Sequence, residues 1–249
     1  KIQLLSYRSF EETETEFVIT TFDSYGQLIQ ETTPLNKADQ ATYDAEKLFG
    51  IDLNDDGVQG INIEVFEEQY WLEYYGFTTF GHNSLTDLLV DINNQDLYFA
   101  PDGWPENLKE LIDNDGENFG INVYEGYVPL AIEEINNPGF GEQYLGHHVL
   151  LTLDTYYDEL VGFIFDQNGS YVEEIRSLDN NQIYLAEDLF QVDLNGDYVL
   201  GRNVQVFDTF TYAMTKGITN FPDVPNTISL YVDQNSGEFL FGDIHNDTN

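Results

Sequence analysis

The chain has 249 residues, with 46 aspartate and glutamate residues against 8 lysine and arginine residues, a formal net charge of −38 and no cysteine. A surface this negative disfavours nucleic acid and anionic lipid as partners and favours cations and basic partners. The absence of cysteine excludes disulfides and thiolate metal sites, and the chain lacks the run of about 18 apolar residues that predicts membrane insertion. A hydrophobic content of 41% still permits a sizeable core.

The chain begins with the pattern of a β-hairpin. Apolar and β-branched residues at 17–22 and 27–30 flank the dipeptide Tyr25-Gly26, and this arrangement is typical of two strands joined by a tight turn.

A short helix, an acidic loop and a strand follow the hairpin. Tyr43, Leu48 and Phe49 form an apolar stripe that predicts a helix over about residues 37–49. A glycine-bearing loop then passes into an alternating stretch at 61–66. Because the predicted helices are few and short, we expect a mainly β fold.

The same order of elements returns later in the chain. Residues 43–60 and 184–201 align without a gap at an offset of 141, and the pairs FDSYGQLIQE/FDQNGSYVEE and VDINNQDLYF/VDQNSGEFLF match at offsets of 143 and 142. Three matches in one order indicate a duplication. We therefore predict a first β-rich repeat at 1–103, a joining segment at 104–147 and a second β-rich repeat at 148–249.

The second repeat predicts the same elements as the first. A hairpin is expected from strands at 161–165 and 170–174 around Asn168-Gly169, followed by a helix over about residues 181–190 and a strand at 203–207.

The joining segment resembles a third, degenerate copy. Trp104-Pro105-Glu106 is typical of a helix start, and the predicted helix runs to Ile112. An acidic stretch follows, and residues 120–123 then resemble the strand that begins after the first acidic loop.

Two acidic loops carry the ligand spacing of a calcium site. Side-chain oxygens at alternate positions converge on one hard cation, while the carbonyl group at position 7 adds another ligand. Ligands that are all oxygen favour calcium over zinc or copper. Positions 1, 3, 5 and 7 are Asp52, Asn54, Asp56 and Val58 in the first loop and Asp193, Asn195, Asp197 and Val199 in the second. A shorter third candidate has Asp113, Asp115 and Glu117.

A solvated turn is the alternative interpretation of these loops, because Asp, Asn and Gly are also good turn formers. The second loop has Tyr198 at position 6, where glycine is expected. A non-glycine residue with positive φ there costs on the order of 1 kcal/mol.

Both loops depart from a full EF-hand at position 12, where Ile63 and Val204 replace the bidentate glutamate. The missing oxygens must come from water or other side chains, and the candidates are Glu64, Gln205, Glu46 and Glu187. Such sites bind weakly, with dissociation constants near the roughly 10⁻⁴ to 10⁻³ M of extracellular modules.

The helix followed by a DLNGDGxxG loop, preceded by an FDSNG-type hairpin, resembles the tryptophan-rich repeat modules of secreted and cell-surface proteins of cyanobacteria and other marine bacteria. The loop alone is similar to that of dockerins, which are shorter and lack the hairpins. Here Tyr and Phe occupy most of the usual tryptophan positions, since only Trp71 and Trp104 are present. The resemblance implies a calcium-bearing surface or adhesion module and carries no catalytic residues.

Motifs of catalysis do not point to an enzyme. The chain has no GxSxG, HExxH, GxxxxGK or GxGxxG motif. The aromatic clusters Tyr70-Trp71 with Tyr74-Tyr75, and Tyr156-Tyr157, could stack on sugar rings, although packing in a β-rich core is the favoured interpretation. A glycan-active hydrolase or a carbohydrate-binding protein with an acidic or aromatic cleft is the alternative function.

The sequence thus predicts a noncatalytic, extracellular, calcium-binding module of a cell surface, matrix or filament. Its expected partners are calcium, copies of itself or other surface proteins through strand exchange, and polysaccharide. The first residue, Lys1, is not methionine, which leads us to expect a processed or excised chain.

Overall fold

The computed structural model describes residues 1–10, 14–37, 39–80, 85–101, 107–121, 126–176, 178–206, 228–235 and 237–243. Across these ranges the chain forms sixteen strands in five sheets and three α-helices, so the predicted mainly β fold is confirmed. None of the helices in these ranges is long and apolar enough to cross a membrane.

The elements of the first part of the chain are, in order, β1 (Ile2–Phe10), β2 (Glu14–Phe22), β3 (Leu28–Glu31), α1 (Gln40–Phe49), β4 (Ile63–Val65), α2 (Glu68–Tyr74), β5 (Thr78–Thr79), β6 (Thr86–Asp91), β7 (Leu97–Pro101), β8 (Lys109–Glu110) and β9 (Tyr127–Glu134). The later elements are two short 3₁₀ helices (Pro138–Phe140 and Glu142–Tyr144), β10 (His148–Asp154), β11 (Glu159–Phe165), β12 (Tyr171–Arg176), α3 (Asn180–Phe190), β13 (Val192–Asp193), β14 (Val204–Val206), β15 (Ile228–Asp233) and β16 (Phe239–Asp243).

The chain divides into two compact units, each assembled from separate stretches of sequence. The first unit comprises Lys1–Phe66, Thr86–Tyr127 and Asn168–Tyr171, and the second comprises Glu67–Leu85, Val128–Gln167 and Val172–Asn249. The division at 1–103, 104–147 and 148–249 describes the sequence duplication and stays a prediction.

The first unit contains two antiparallel sheets with strand orders β1-β2-β3 and β4-β6-β7-β8. Helix α1 packs on the first sheet through a small cluster of Ile19, Ala45 and Leu53. Ala45 lies on α1 and Leu53 in the acidic loop, so the burial of this cluster fixes the loop close to the end of the helix.

The second unit is built around the four-stranded sheet β12-β11-β10-β9. Strand β10 is buried along its whole length, because α2 and α3 contribute side chains to the same core. Leu72 of α2, Leu151 of β10 and Phe190 of α3 belong to this cluster. The unit also contains the pair β13-β5 and the sheet β14-β15-β16.

Helices α1 and α3 have well-defined ends that lead into the acidic loops. Helix α3 begins with a capping box, in which Asp179 Oδ1 accepts a hydrogen bond of 2.9 Å from the backbone N–H of Gln182. Each helix ends at a residue in the left-handed conformation, Gly50 with φ 64° and Gln191 with φ 54°.

Most of the predicted elements of the two repeats are confirmed. Strand β2 pairs with β3 and β11 lies beside β12, as the hairpin signals predicted. The predicted helices correspond to α1 and α3. The strands predicted at 61–66 and 203–207 are shorter, as β4 and β14, and residue 207 lies outside the described residues.

The helix predicted for the joining segment is wrong over its described part. Residues 102–106 lie outside the described residues, but Lys109–Glu110 forms β8, in which Lys109 pairs with Phe99 of β7. Ladder pairing to a buried strand overrides the local helix signal here. Of the strand-like residues 120–123, Gly120 forms an isolated bridge with Asp96, and residues 122–125 are outside the described ranges.

The prediction that the aromatic clusters pack in the core is correct for only some of their members. Trp71 and Tyr75 pack against the core of the second unit. Tyr70, Tyr74, Tyr156 and Tyr157 are instead exposed, with 58%, 65%, 67% and 72% of their surface accessible.

Candidate metal-binding loops

The loop after α1 is folded around the carboxylate group of Asp52, at position 1. Its Oδ1 accepts hydrogen bonds from the backbone N–H groups of Asp55 at 2.7 Å and Asp56 at 3.3 Å. Its Oδ2 accepts one from Gly57 at 2.8 Å. One carboxylate therefore holds three successive N–H groups and closes the loop.

The loop after α3 repeats this arrangement at Asp193. Its Oδ1 accepts hydrogen bonds from Gly196 at 2.6 Å and Asp197 at 3.2 Å, and its Oδ2 accepts one from Tyr198 at 2.8 Å. The loop forms in spite of Tyr198, which adopts a left-handed conformation with φ 65°.

The side chains at positions 3 and 5 close shorter turns in both loops. In the first, Asn54 Oδ1 accepts from the N–H of Asp56 at 3.1 Å, and Asp56 Oδ1 accepts from the N–H of Val58 at 2.8 Å. The equivalent bonds of the second loop measure 3.0 and 2.8 Å. The structure thus brings the predicted ligand residues of each loop together in a turn that has the same hydrogen bonds in both loops.

A buried glutamate on each helix holds the two ends of its loop. Glu46 Oε1 accepts from the backbone N–H groups of Leu53 at 2.8 Å and Asn54 at 3.1 Å, and Oε2 accepts from Gly60 at 2.8 Å. Glu187 makes the same three bonds to the equivalent positions at 3.1, 3.1 and 3.0 Å. Both oxygens of each carboxylate are engaged with backbone, so these candidate ligands act as loop anchors.

The anchor of the second loop has a perturbed acidity. Burial and the charges of Asp193 and Asp197 raise the pKa of Glu187, and the N–H groups of Leu194 and Asn195 lower it, so that the resulting pKa is about 7. A cation held by the loop would lower this pKa again, because it opposes the two neighbouring carboxylates.

A second segment contacts each loop from the β-hairpin that follows it. Asn93 Nδ2 donates to Asp56 Oδ2 at 2.6 Å, and Asn235 Nδ2 donates to Asp197 Oδ2 at 2.5 Å. The asparagine turn is itself fixed in both copies, because Asp91 Oδ1 accepts from the N–H of Asn93 and Asp233 Oδ1 from the N–H of Asn235, both at 2.9 Å.

The contact between this asparagine and the loop was not predicted from the sequence, although a signal was present. The matching segments VDINNQDLYF and VDQNSGEFLF carry an Asp-x-Asn triplet at the same place in both repeats. The aspartate and the asparagine of this triplet are present in both copies, within segments that otherwise match mainly at apolar positions. Their presence in both copies indicates a shared contact.

The carboxylate at position 5 of the first loop is held in its charged form. Burial raises the pKa of Asp56, but hydrogen bonds from Asn93, from the N–H of Val58 and from Asn54 outweigh it, so the pKa lies below its usual range. The amide and N–H groups stabilise the negative charge that a cation would meet.

The third acidic stretch has a different conformation. Asp113 Oδ1 accepts from the N–H groups of Asp115 at 2.8 Å and Glu117 at 3.0 Å, and the turn joins residues that pair as Ile112 and Asn118. The hairpin turn at Asp23 has the same two bonds, to Tyr25 and Gln27. Metal binding by Asp113, Asp115 and Glu117 stays a prediction, and the geometry is that of a hairpin turn.

The ligand chemistry of the two loops fits a hard cation. Each brings two carboxylates, one amide oxygen and one backbone carbonyl group, all of them oxygen ligands of the kind that calcium prefers. Within the described residues, no group of three or more His, Asp or Glu side chains is placed to hold a metal. A cation in these loops would therefore depend on asparagine, backbone and water oxygens as well as on carboxylates.

Carboxylates with raised pKa values also occur outside the loops. Burial raises the pKa of Asp91, Asp96 and Glu110. Each accepts a hydrogen bond from a side chain, Asp91 from Tyr43, Asp96 from Asn118 at 2.6 Å and Glu110 from Tyr98 at 3.0 Å. This is the pattern of a satisfied polar network, and it gives no specific support to the hydrolase alternative.

Comparisons with protein-family models, with curated proteins and with solved structures gave no match. The resemblance to tryptophan-rich calcium-binding repeats therefore stays a prediction from the sequence.

Proposed function

We propose that this chain is a noncatalytic calcium-binding module that serves a structural or adhesive role at a cell surface, in a matrix or in a filament. Calcium is held by Asp52, Asn54, Asp56 and the carbonyl group of Val58 in the first loop and by Asp193, Asn195, Asp197 and the carbonyl group of Val199 in the second.

The observation that carries this proposal is the repetition of one hydrogen-bond network in two loops. The position-1 carboxylate, the position-3 amide, the position-5 carboxylate and the helix glutamate each bind the same backbone groups in both copies. The simple turns at Asp23 and Asp113 are closed by two such bonds each. The two loops have the larger set, and their side-chain oxygens recur at alternate positions, as calcium ligation requires.

The location follows from the expected affinity. Two carboxylates and no bidentate glutamate give weak sites, with dissociation constants on the order of 10⁻⁴ to 10⁻³ M. Such sites fill only where calcium is millimolar, which supports an extracellular location. A filled site contributes RT ln(1 + [L]/Kd), about 1.4 kcal/mol at ten times the dissociation constant.

Calcium titration calorimetry and thermal unfolding, with and without chelator at constant ionic strength, test the proposal. We expect two weak sites and a higher melting temperature in calcium. The double variant Asp56→Asn and Asp197→Asn should lose both effects, while Asp23→Asn, in the hairpin turn, should keep them. A melting temperature that does not change with calcium would contradict calcium binding. An equal response in the double variant would show that screening of the negative charge causes the stabilisation.

We further propose that copies of the chain associate through strand addition at the three-stranded sheet of the first unit. Strand β1 is one of the two outer strands of that sheet, and Ile2 and Leu4 on it are exposed. Light scattering at seawater-like salt, with and without chelator, should show species larger than a monomer. A strict monomer under both conditions contradicts association.

Carbohydrate binding is a second candidate function, because two exposed aromatic rings form one surface. The rings of Tyr70 and Tyr74 lie 6.1 Å apart with an interplanar angle of 24°. The negative charge of the protein would not oppose the stacking of sugar rings on these two tyrosines, because neutral glycans carry no charge. Retarded migration in gels containing a neutral polysaccharide, abolished in Tyr70→Ala with Tyr74→Ala, would support it, and unchanged migration would contradict it.

A further inference from the structure

The second unit contains an open cleft that the calcium proposal does not use. Its volume is about 440 Å³, and its walls include Tyr75 and Phe77 after α2, Leu160 on β11 and Ile183 on α3. A volume of this order falls within the range of roughly 300 to 1,000 Å³ typical of ligand clefts.

The walls of the cleft are apolar and belong to a packed framework. Tyr75, Phe77, Leu160 and Ile183 are only partly buried, yet they pack against the main core of the second unit. The ring of Trp71 stacks on Tyr75, with centroids 6.3 Å apart and an interplanar angle of 21°. The walls are therefore held in position before a ligand arrives.

The rim of the cleft is acidic. Asp158, in the turn between β10 and β11, and Glu159, the first residue of β11, line it. Asp154 Oδ1 fixes the turn by accepting from the N–H groups of Tyr156 at 3.0 Å and Tyr157 at 3.3 Å. Asp158 adopts a left-handed conformation with φ 57°, which aspartate tolerates better than most residues.

We propose that this cleft binds a short segment of a partner protein in which lysine or arginine alternates with a large aliphatic residue. The aliphatic side chain packs against Phe77, Leu160 and Ile183, and the cation lies beside Asp158 and Glu159. The stem of a lysine or arginine can cover the apolar wall while its charge stays at the rim, and the face of Tyr75 attracts a cation.

Charge and wall chemistry select this occupant over others. An anionic ligand would meet Asp158, Glu159 and the overall charge of −38. A neutral sugar could hydrogen-bond to Asp158 and Glu159 but would bring no positive charge to them, and its hydroxyl groups would also lie against the aliphatic side chains of Leu160 and Ile183. A segment that is both cationic and apolar satisfies the rim and the walls together. Leu194 of the second acidic loop also lines the cleft. The inference still does not depend on the calcium proposal, because no lining side chain is a proposed calcium ligand.

Fluorescence anisotropy with labelled hexapeptides tests this assignment, in chelator and again in millimolar calcium. The probes are alternating Lys-Leu, alternating Lys-Gly with the same charge, and alternating Glu-Leu with the opposite charge. We expect Lys-Leu to bind at least about tenfold more tightly than Lys-Gly, because burying leucine side chains adds to the charge attraction. Glu-Leu should show no binding.

Variants locate the binding. Phe77→Ala should weaken binding of the Lys-Leu peptide by about tenfold and leave binding of the Lys-Gly peptide unchanged. Near-ultraviolet circular dichroism checks that this variant is folded. Asp158→Asn, which keeps the left-handed turn, should weaken Lys-Leu by about two- to fivefold. Glu142→Gln removes an equal charge from an exposed site outside the cleft and should leave Lys-Leu binding unchanged.

Several results would overturn the assignment. Equal affinity for Lys-Leu and Lys-Gly, or an equal effect of Asp158→Asn and Glu142→Gln, would show attraction by surface charge alone. Binding of a neutral oligosaccharide that Phe77→Ala abolishes would give the cleft a different occupant.

Discussion

Tyr43 donates a hydrogen bond of 2.6 Å from its hydroxyl group to Oδ2 of Asp91, a residue 48 positions later in the chain. Both side chains are buried. Tyr43 lies on the helix before the first acidic loop, and Asp91 begins the turn whose asparagine contacts that loop. The bond therefore joins the two segments that border the loop, and Tyr184 repeats it with Asp233 at 3.1 Å.

Replacement of this tyrosine should destabilise the first unit. Tyr43→Phe leaves the carboxylate of Asp91 buried without its side-chain donor, and burial already raises the pKa of Asp91. The expected loss is about 1 to 3 kcal/mol in the free energy of unfolding, measured by urea denaturation at neutral pH. Tyr25→Phe is the control, because Tyr25 is 88% exposed. Equal stability of the two variants would show that the bond contributes nothing.

Tyr198 should make the second loop less stable, and its calcium binding weaker, than the first loop. Its φ of 65° is a conformation in which glycine is unstrained, and Gly57 occupies the same position with φ 87°. Tyr198→Gly should stabilise the protein by up to about 1 kcal/mol and tighten calcium binding by the second loop.

The reverse change is the matched test. Gly57→Ala should cost about 1 kcal/mol, and the added Cβ would meet no atom within 4 Å, so that backbone strain alone is measured. Both stabilities are read from urea unfolding in chelator. If the two substitutions shift stability in the same direction, the strain at this position is not what distinguishes the loops.

The sequence predicted those parts of the site that depend on local spacing. Asp52, Asn54 and Asp56 lie within five residues of one another, so their positions in a turn follow from the pattern. Helix α1 was predictable because Tyr43 and Phe49 are apolar positions that the structure buries fully and partly, and because Gly50 ends the helix. Leu48, the third member of the predicted apolar stripe, is instead exposed.

The missed features depend on contacts between distant residues. Asn93 reaches Asp56 across 37 positions, and no local pattern measures that separation. Helix α2 was not predicted because its sequence EQYWLEY has no strong apolar period, and it is stabilised by packing of Leu72 in the core. Lys109–Glu110 follows a strong helix-start signal, yet pairing with β7 determines its conformation.

His148 should make folding sensitive to mild acid. Burial, and then the charge of His147, lowers the pKa of His148 from 6.5 to about 4. As the pH falls below 6.5 the unfolded chain takes up a proton that the folded chain accepts only near pH 4, so stability is lost across this window. The loss in the free energy of unfolding is roughly 3 kcal/mol.

The difference between the wild-type protein and His148→Phe isolates this contribution from that of the acidic groups. Their difference in free energy of unfolding should be constant above pH 6.5 and should shift in favour of the variant toward pH 4. The titration of the His148 ring, followed by nuclear magnetic resonance, measures the pKa directly. A midpoint near 6.5 in the folded protein would contradict the expectation.

Gly169 should tolerate substitution much less well than Gly26, the glycine that occupies the same place in the first repeat. Both have positive φ, 91° and 78°. A Cβ atom on Gly169 would overlap the carbonyl oxygen of Glu110, whereas one on Gly26 would meet nothing within 4 Å. The Gly169 carbonyl group also accepts a hydrogen bond of 2.8 Å from the N–H of Ile112, so the turn cannot move away without losing that bond.

We expect Gly26→Ala to cost about 1 kcal/mol from backbone strain and Gly169→Ala about 2 to 4 kcal/mol, because overpacking adds to the strain. Urea unfolding of the two variants in the same buffer measures the difference, and equal losses would mean that strain alone governs both turns.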